Sequence, residues 1–140
     1  MLGVVVGALL ICAFAATARA DASAYGVVPQ DGAVPSRAEV EEMGAGGVTE
    51  MRLILFWPSV EEQPGQYNWK NVDAMVRETT NYGVQPFFFL YGTPKWAAKI
   101  DGIRCNKKCY KFAPTSGQTR RAYADFAAAA VKRYGPGGDF

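Results

Sequence analysis

The chain has 140 residues, of which 49% are hydrophobic and 20% are charged. This composition excludes a disordered or fibrous protein, and it allows one hydrophobic core. The 15 basic and 13 acidic residues nearly balance, so net charge indicates no class of partner. We expect no nucleic acid among its partners.

The first 20 residues have the pattern of a secretory signal peptide. Residues 2–16 are apolar but too few for an ordinary membrane span, and Ala18-Arg19-Ala20 fits a signal-peptidase site. No Lys or Arg precedes the apolar run, so we expect the signal to begin upstream of Met1. These features predict cleavage before Asp21 and a secreted protein of residues 21–140 without membrane attachment; an uncleaved anchor or a core helix is the alternative.

Two cysteines remain after the signal, Cys105 and Cys109. In an oxidising compartment a local disulfide is the expected state of two such neighbours. Zinc is the alternative, but the chain has no histidine and cannot complete a four-ligand site from two thiols. We therefore predict a disulfide and no metal or other cofactor.

The first predicted unit is a strand followed by a short helix. The strand covers residues 25–28, and Ser36 with Glu39 forms a capping box that begins the helix. The residues expected on its inner side are Ala38, Val40 and Met43, and the glycines expected to end it are Gly44, Gly46 and Gly47.

The second unit is signalled more strongly. Residues 51–57 form an apolar run that Pro58 closes, typical of a strand buried on both faces of a parallel sheet. After a turn at Pro64-Gly65, a helical pattern runs from Asn68 to Gly83. Its inner face is predicted to comprise Trp69, Val72, Val76 and Thr79 or Thr80.

The third unit consists of a strand over residues 84–91, a long loop from Gly92, and a helix that Thr115 and Gln118 are predicted to cap. Gly135-Pro136 is expected to end that helix. Its apolar face is predicted to comprise Tyr123, Phe126, Ala127, Ala130, Val131 and Tyr134. Three βα units in series predict an α/β fold that corresponds to the first part of a (β/α)8 barrel. We expect the chain to end before the fourth strand of that barrel.

The order of several short motifs resembles the N-terminal part of clan A glycoside hydrolases, near the cellulase and β-xylosidase families, over residues 26–140. The matching positions are Arg52 to Trp57, Glu61, Pro64-Gly65, Tyr67, Trp69, Asp73, Gly83, Gly92-Thr93-Pro94-x-Trp96 and residues 133–138. The resemblance implies the first three units of a TIM barrel and a carbohydrate substrate.

The resemblance further implies a retaining glycosidase with two carboxylates about 5–5.5 Å apart. In this clan the two glutamates follow strands four and seven, the first in an Asn-Glu pair. The chain contains no Asn-Glu dipeptide, so we predict no catalytic residue in it and no activity alone. Arg52 matches an arginine that in this clan holds the nucleophile ionised. A charge in a buried strand needs a partner, so a structural ion pair with Glu50 or a helix carboxylate would explain Arg52 equally well.

Several further residues are candidates for ligand contact. Trp57, Tyr91 and Trp96 fall at or beyond strand ends, where aromatic rings stack on sugars or simply pack. Glu61 and Glu62 could be a paired general acid and base, but adjacent residues of an extended segment point to opposite sides. The resemblance makes Glu61 a loop residue that supports the strand end. The segment 95–121 has one acid, Asp101, and eight bases that favour either an acidic polysaccharide or mere solvation: Lys95, Lys99, Arg104, Lys107, Lys108, Lys111, Arg120 and Arg121.

Two other functions are compatible with the pattern. A self-contained secreted α/β domain that binds carbohydrate without catalysis needs no missing strands. A flavodoxin-like nucleotide binder is less favoured, because the chain has no G-x-G-x-x-G or P-loop pattern.

Overall fold

The computed structural model describes residues 24–30, 34–106 and 108–140; the predicted signal peptide and Lys107 lie outside them. Three parallel strands form one sheet in the order β1-β2-β3: β1 (Gly26–Val27), β2 (Glu50–Phe56) and β3 (Gln85–Tyr91). The helices are α1 (Arg37–Ala45), α2 (Trp57–Val60), α3 (Lys70–Asn81), α4 (Lys95–Ile100) and α5 (Gly117–Tyr134). In the described residues, no helix is long and apolar enough to cross a membrane.

The predicted βα order is confirmed, and local signals explain most boundaries. Ser36 and Glu39 form the capping box at the start of α1, as predicted. Gly83, with a φ of +74°, follows α3 at the predicted position. At α5 the predicted cap was wrong by one residue, because Ser116 rather than Thr115 accepts the N–H of Thr119.

The sheet has one buried face and one exposed face, which corrects the prediction of a strand buried on both sides. Met51, Leu53 and Leu55 alternate along β2 with residues that face the other way. We call these two sides the outer face, which the helices cover, and the inner face. The inner face comprises Arg52, Ile54, Phe56, Phe87, Phe89 and Tyr91.

The core lies between the outer face and the helices. Phe126 of α5 is fully buried between two indoles, stacked on Trp57 at 5.8 Å and on Trp69 at 5.9 Å between ring centroids. Two residues that were predicted on inner helix faces, Ala38 and Val131, are exposed. The part of each helix that contacts the rest of the protein is narrower than its apolar face.

A charged clamp holds α5 against α3. The Arg133 guanidinium donates two hydrogen bonds to the Asp73 carboxylate, each 2.7 Å, and the Tyr134 hydroxyl donates a third at 2.6 Å. Bonding by Arg133 lowers the pKa of Asp73 below its usual range, while burial and then Asp73 raise the pKa of Tyr134. Asp73 and Arg133 thereby tie the second βα unit to the third.

Candidate functional site

Aromatic side chains meet where β2 and β3 end. Phe56 and Tyr91 are paired in register, and their ring centroids lie 6.1 Å apart. Tyr110, from the 3-10 turn Cys109–Lys111, lies 5.7 Å from Phe56 and 6.0 Å from Tyr91, edge-on to both. These three rings, Phe56, Tyr91 and Tyr110, form what we call the strand-end cluster, in geometry that aromatic pairs favour.

An open pocket of about 290 Å³ adjoins the strand-end cluster. Its walls come from the end of β3, from the loop before α5 and from α5, and comprise residues 90–93, residues 110–114 and Tyr123. Gly92 brings the backbone close to the cluster, because a Cβ there would lie 2.6 Å from Phe56 Cε2. The pocket therefore depends on a glycine at this position.

The loop that forms the far wall of the pocket is fixed at two points. Cys105 and Cys109 are joined by a disulfide directly before the turn that presents Tyr110. The Thr93 hydroxyl, which is buried, donates a hydrogen bond to the Phe112 carbonyl and ties the end of β3 to the loop. Both contacts limit how the pocket can change shape.

Asp101 fastens the same loop to the start of α5. Its carboxylate accepts the N–H of Thr115 at 2.8 Å, the N–H of Ser116 at 3.1 Å and the Thr119 hydroxyl at 2.9 Å. The Ser116 hydroxyl and these donors hold the pKa of Asp101 well below its usual range. The single acid of segment 95–121 is thus engaged in structure rather than offered to a ligand.

Glu61 organises the loop after β2, as the resemblance implied. Its side chain, only 2% exposed, accepts the Trp57 indole N–H and, at 2.7 Å, the Gly65 N–H. Its backbone carbonyl accepts the Trp96 indole N–H at 3.0 Å. Burial, and then the Glu61 carboxylate, raise the pKa of Tyr67. Glu61 therefore has the contacts of a structural residue.

Two of the three predicted sugar-contacting aromatics lie in different settings from those expected. Trp57 begins α2 and is fully buried, stacked on Phe126, so it offers no ring face to a ligand. Trp96 lies on α4 rather than in a loop, half-buried edge-on to Trp57 at 5.7 Å. Tyr91, 36% exposed beside the pocket, is placed as predicted.

Arg52 is exposed on the inner face, not buried as the sequence suggested. Its guanidinium lies 5.0 Å from the centroid of the Phe89 ring. Neither ion pair of the described residues includes it, so the structural ion pair considered above, with Glu50 or a helix carboxylate, is not formed. Its charge faces the side where the sheet has no covering layer in the described chain.

Sequence reasoning missed Tyr110 and Phe112, and it named Lys111 only as one of the bases of segment 95–121, not as part of a pocket. They lie in a loop without periodicity, and only the disulfide beside them signalled that this loop is ordered. Their approach to Tyr91 depends on contacts across 19 positions, such as that of Thr93 with Phe112.

The fold matches the start of several solved glycoside hydrolases. A family 39 glycoside hydrolase from Bacteroides cellulosilyticus WH2 aligns with TM-score 0.59 and 21% identity over 77% of this chain and 21% of that chain. The fold is that of an opening (β/α)8 barrel. A β-galactosidase from Marinomonas ef1 aligns over the same kind of barrel segment, with TM-score 0.59 and 19% identity over 79% of this chain and 19% of that chain.

A third barrel, an exo-β-1,4-mannosidase from Opitutaceae bacterium strain TAV5, gives TM-score 0.53 and 16% identity over 78% of this chain and 22% of that chain. This chain spans about a fifth of the length of these barrel proteins. Neither protein-family models nor curated protein sequences give a match. The predicted fold class, the first three βα units of a barrel, is confirmed.

Proposed function

We propose that the chain is the N-terminal portion of a secreted glycoside hydrolase that cleaves O-glycosidic bonds of oligo- or polysaccharides with retention of configuration. The observation that carries the proposal is the aromatic pocket at the carboxyl end of β3, next to the strand-end cluster that Phe56 of β2 joins. Enzymes built on (β/α)8 barrels bind their substrates at that end of the strands. The fold shared with three glycoside hydrolases supports the same reading.

In this proposal the described residues bind and orient the sugar, and later strands supply the two catalytic carboxylates. Tyr91 and Tyr110 present rings suited to the apolar face of a pyranose. Trp96, half-buried on α4, is the further residue that we propose to contact the sugar. The chain alone is then inactive, since an acid and a nucleophile on separate later strands are both required.

Arg52 has the role of a positioning residue for the nucleophile. Its guanidinium is exposed on the inner face and meets no carboxylate of the described chain. A carboxylate brought there by a later strand would receive charge-assisted hydrogen bonds from it. Such bonds would hold the carboxylate ionised and ready to attack.

The proposal is tested by isolating the protein that the source organism itself produces, with an antibody raised against residues 24–140. Peptide mapping of the captured protein from medium and cells gives its amino terminus and its length. We expect a secreted protein that begins at Asp21, continues past Phe140 into a strand ending in Asn-Glu, and hydrolyses an aryl β-glycoside with retention. A secreted protein that ends at Phe140 would refute the proposal of a longer glycoside hydrolase. Hydrolysis with inversion of configuration would refute the retaining mechanism.

A self-contained carbohydrate-binding domain is the second candidate, and the complete outer core favours it. The residues around Phe126 are buried by elements of the described chain alone. Such a domain should unfold in one cooperative transition and bind sugar without turnover. By contrast, a barrel portion with an exposed apolar inner face should unfold gradually and aggregate when expressed alone.

A further inference from the structure

The segment 95–121, which forms one wall of the pocket, has an excess of basic residues. Seven bases of segment 95–121 are exposed in the described chain: Lys95, Lys99, Arg104, Lys108, Lys111, Arg120 and Arg121. Neither ion pair of the described residues includes any of them. The single acid among them, Asp101, accepts hydrogen bonds from the neutral donors of Thr115, Ser116 and Thr119 and keeps its own negative charge. The described residues of this segment therefore carry seven positive charges against one negative charge, and such an excess favours anions.

One of these cations belongs to the pocket itself. Lys111 lines it together with Tyr91 and Tyr110, so a cation and two aromatic rings converge on the same space. The disulfide before Tyr110 and the Thr93 contact with Phe112 hold this wall in place before any ligand arrives. A preformed site of this kind loses less entropy on binding than a mobile loop would.

We propose that the pocket takes a hexuronate residue of an acidic polysaccharide. This inference rests on the proposed function and narrows its substrate class. A pyranose ring packs on Tyr91 or Tyr110, and the carboxylate at C6 receives a charge-assisted hydrogen bond from the Lys111 ammonium. The remaining bases steer the polyanion towards the site.

Single-stranded nucleic acid also combines negative charge with stacking rings, and it is the principal competitor. The barrel setting favours the sugar, because the pocket lies at the carboxyl ends of parallel strands, next to the inner face that carries Arg52. A hexuronate ring carries one carboxylate, and Lys111 is the cation in the pocket that can pair with it. The test includes an RNA arm for this reason.

The experiment is calorimetric titration of the protein expressed from its full reading frame. The probes are tetramers of β-1,4-mannuronate, β-1,4-glucuronate and α-1,4-galacturonate, each compared with the neutral tetramer that carries CH2OH at C6. A matched pair of variants accompanies them, Lys111→Gln in the pocket and Lys70→Gln on α3, both at exposed lysines. A single-stranded RNA oligomer is titrated in parallel.

We expect at least one acidic tetramer to bind more tightly than its neutral counterpart, with affinity that falls as salt rises. Lys111→Gln should weaken that binding about tenfold and weaken binding of the neutral tetramer much less, whereas Lys70→Gln should change neither. Equal affinity for acidic and neutral tetramers would overturn the inference and leave the sugar-binding proposal standing. Binding of RNA alone, or of no probe, would overturn the inference, whereas turnover of an aryl β-glycoside tests the proposed function separately.

Discussion

Replacing Gly92 with alanine should destabilise the protein more than the same change at Gly83. Both glycines have positive φ, +87° and +74°, which costs an alanine about 1–2 kcal/mol. At Gly83 an added Cβ has nothing within 4 Å. At Gly92 it would lie 2.6 Å from Phe56 Cε2 and 2.9 Å from Pro58 Cδ, which adds about 1–3 kcal/mol of overpacking. We therefore expect losses of about 2–5 kcal/mol for Gly92→Ala and about 1–2 kcal/mol for Gly83→Ala.

The free energies of unfolding are measured on the protein expressed from its full reading frame, by pulse proteolysis across a urea series. Because Phe56 belongs to the strand-end cluster, Gly92→Ala should also weaken sugar binding, while Gly83→Ala should leave it intact. Equal losses of stability in the two variants would mean that the Phe56 ring moves aside at no cost. In that case the close approach at Gly92 would not shape the pocket.

Three further predictions concern the contacts that hold the site. Glu61→Ala should cost about 2–4 kcal/mol by urea unfolding, because it leaves a buried indole N–H without an acceptor, whereas Glu62→Ala at the exposed neighbour should change stability by about 0.5 kcal/mol or less. Asp73→Asn should remove an acid-sensitive part of the stability, seen as a flatter unfolding curve against pH. Replacing Cys105 and Cys109 together by serine should cost about 2 kcal/mol at most, and hydrogen exchange should rise mainly in the surrounding loop.

The pH range of the Asp73 effect follows from the direction of its pKa shift. The pKa is lowered in the folded state, and the unfolded carboxyl titrates near pH 3.9. The stabilisation is therefore complete well above pH 3.9 and is lost as the pH falls from there through the lower folded-state pKa. A variant that keeps the parental slope in this range would show that the carboxylate is not held by its arginine.

Local patterns were sufficient to predict the three strands and the helices α1, α3 and α5, because their signals lie within a few residues, whereas the short helices α2 and α4 were not predicted. The capping box of Ser36 with Glu39 and the glycine after α3 are examples. Trp57 could not be placed in this way. It continues an apolar run, but Pro58 favours the first turn of a helix, and the ring is buried because Phe126 meets it from 69 positions away.

The inner face shows a second limit of sequence reasoning. Phe87, Phe89 and Tyr91 are as apolar as the residues of the outer face, so periodicity cannot tell which side the helices cover. Tyr91 was predicted from its position at the end of a strand. Its partner Tyr110 was not, because the loop reaches the strand only through long-range contacts.

The clamp between Asp73 and Arg133 also bears on the order of events during synthesis. The two residues are 60 positions apart, and Arg133 lies in the last turn of α5. Until the ribosome has released that turn, Asp73 lacks the two hydrogen bonds from Arg133, and this tie between the third unit and the second cannot form. The clamp therefore forms late in folding during synthesis, because the loop closure that it requires becomes possible only when the third βα unit has fully emerged.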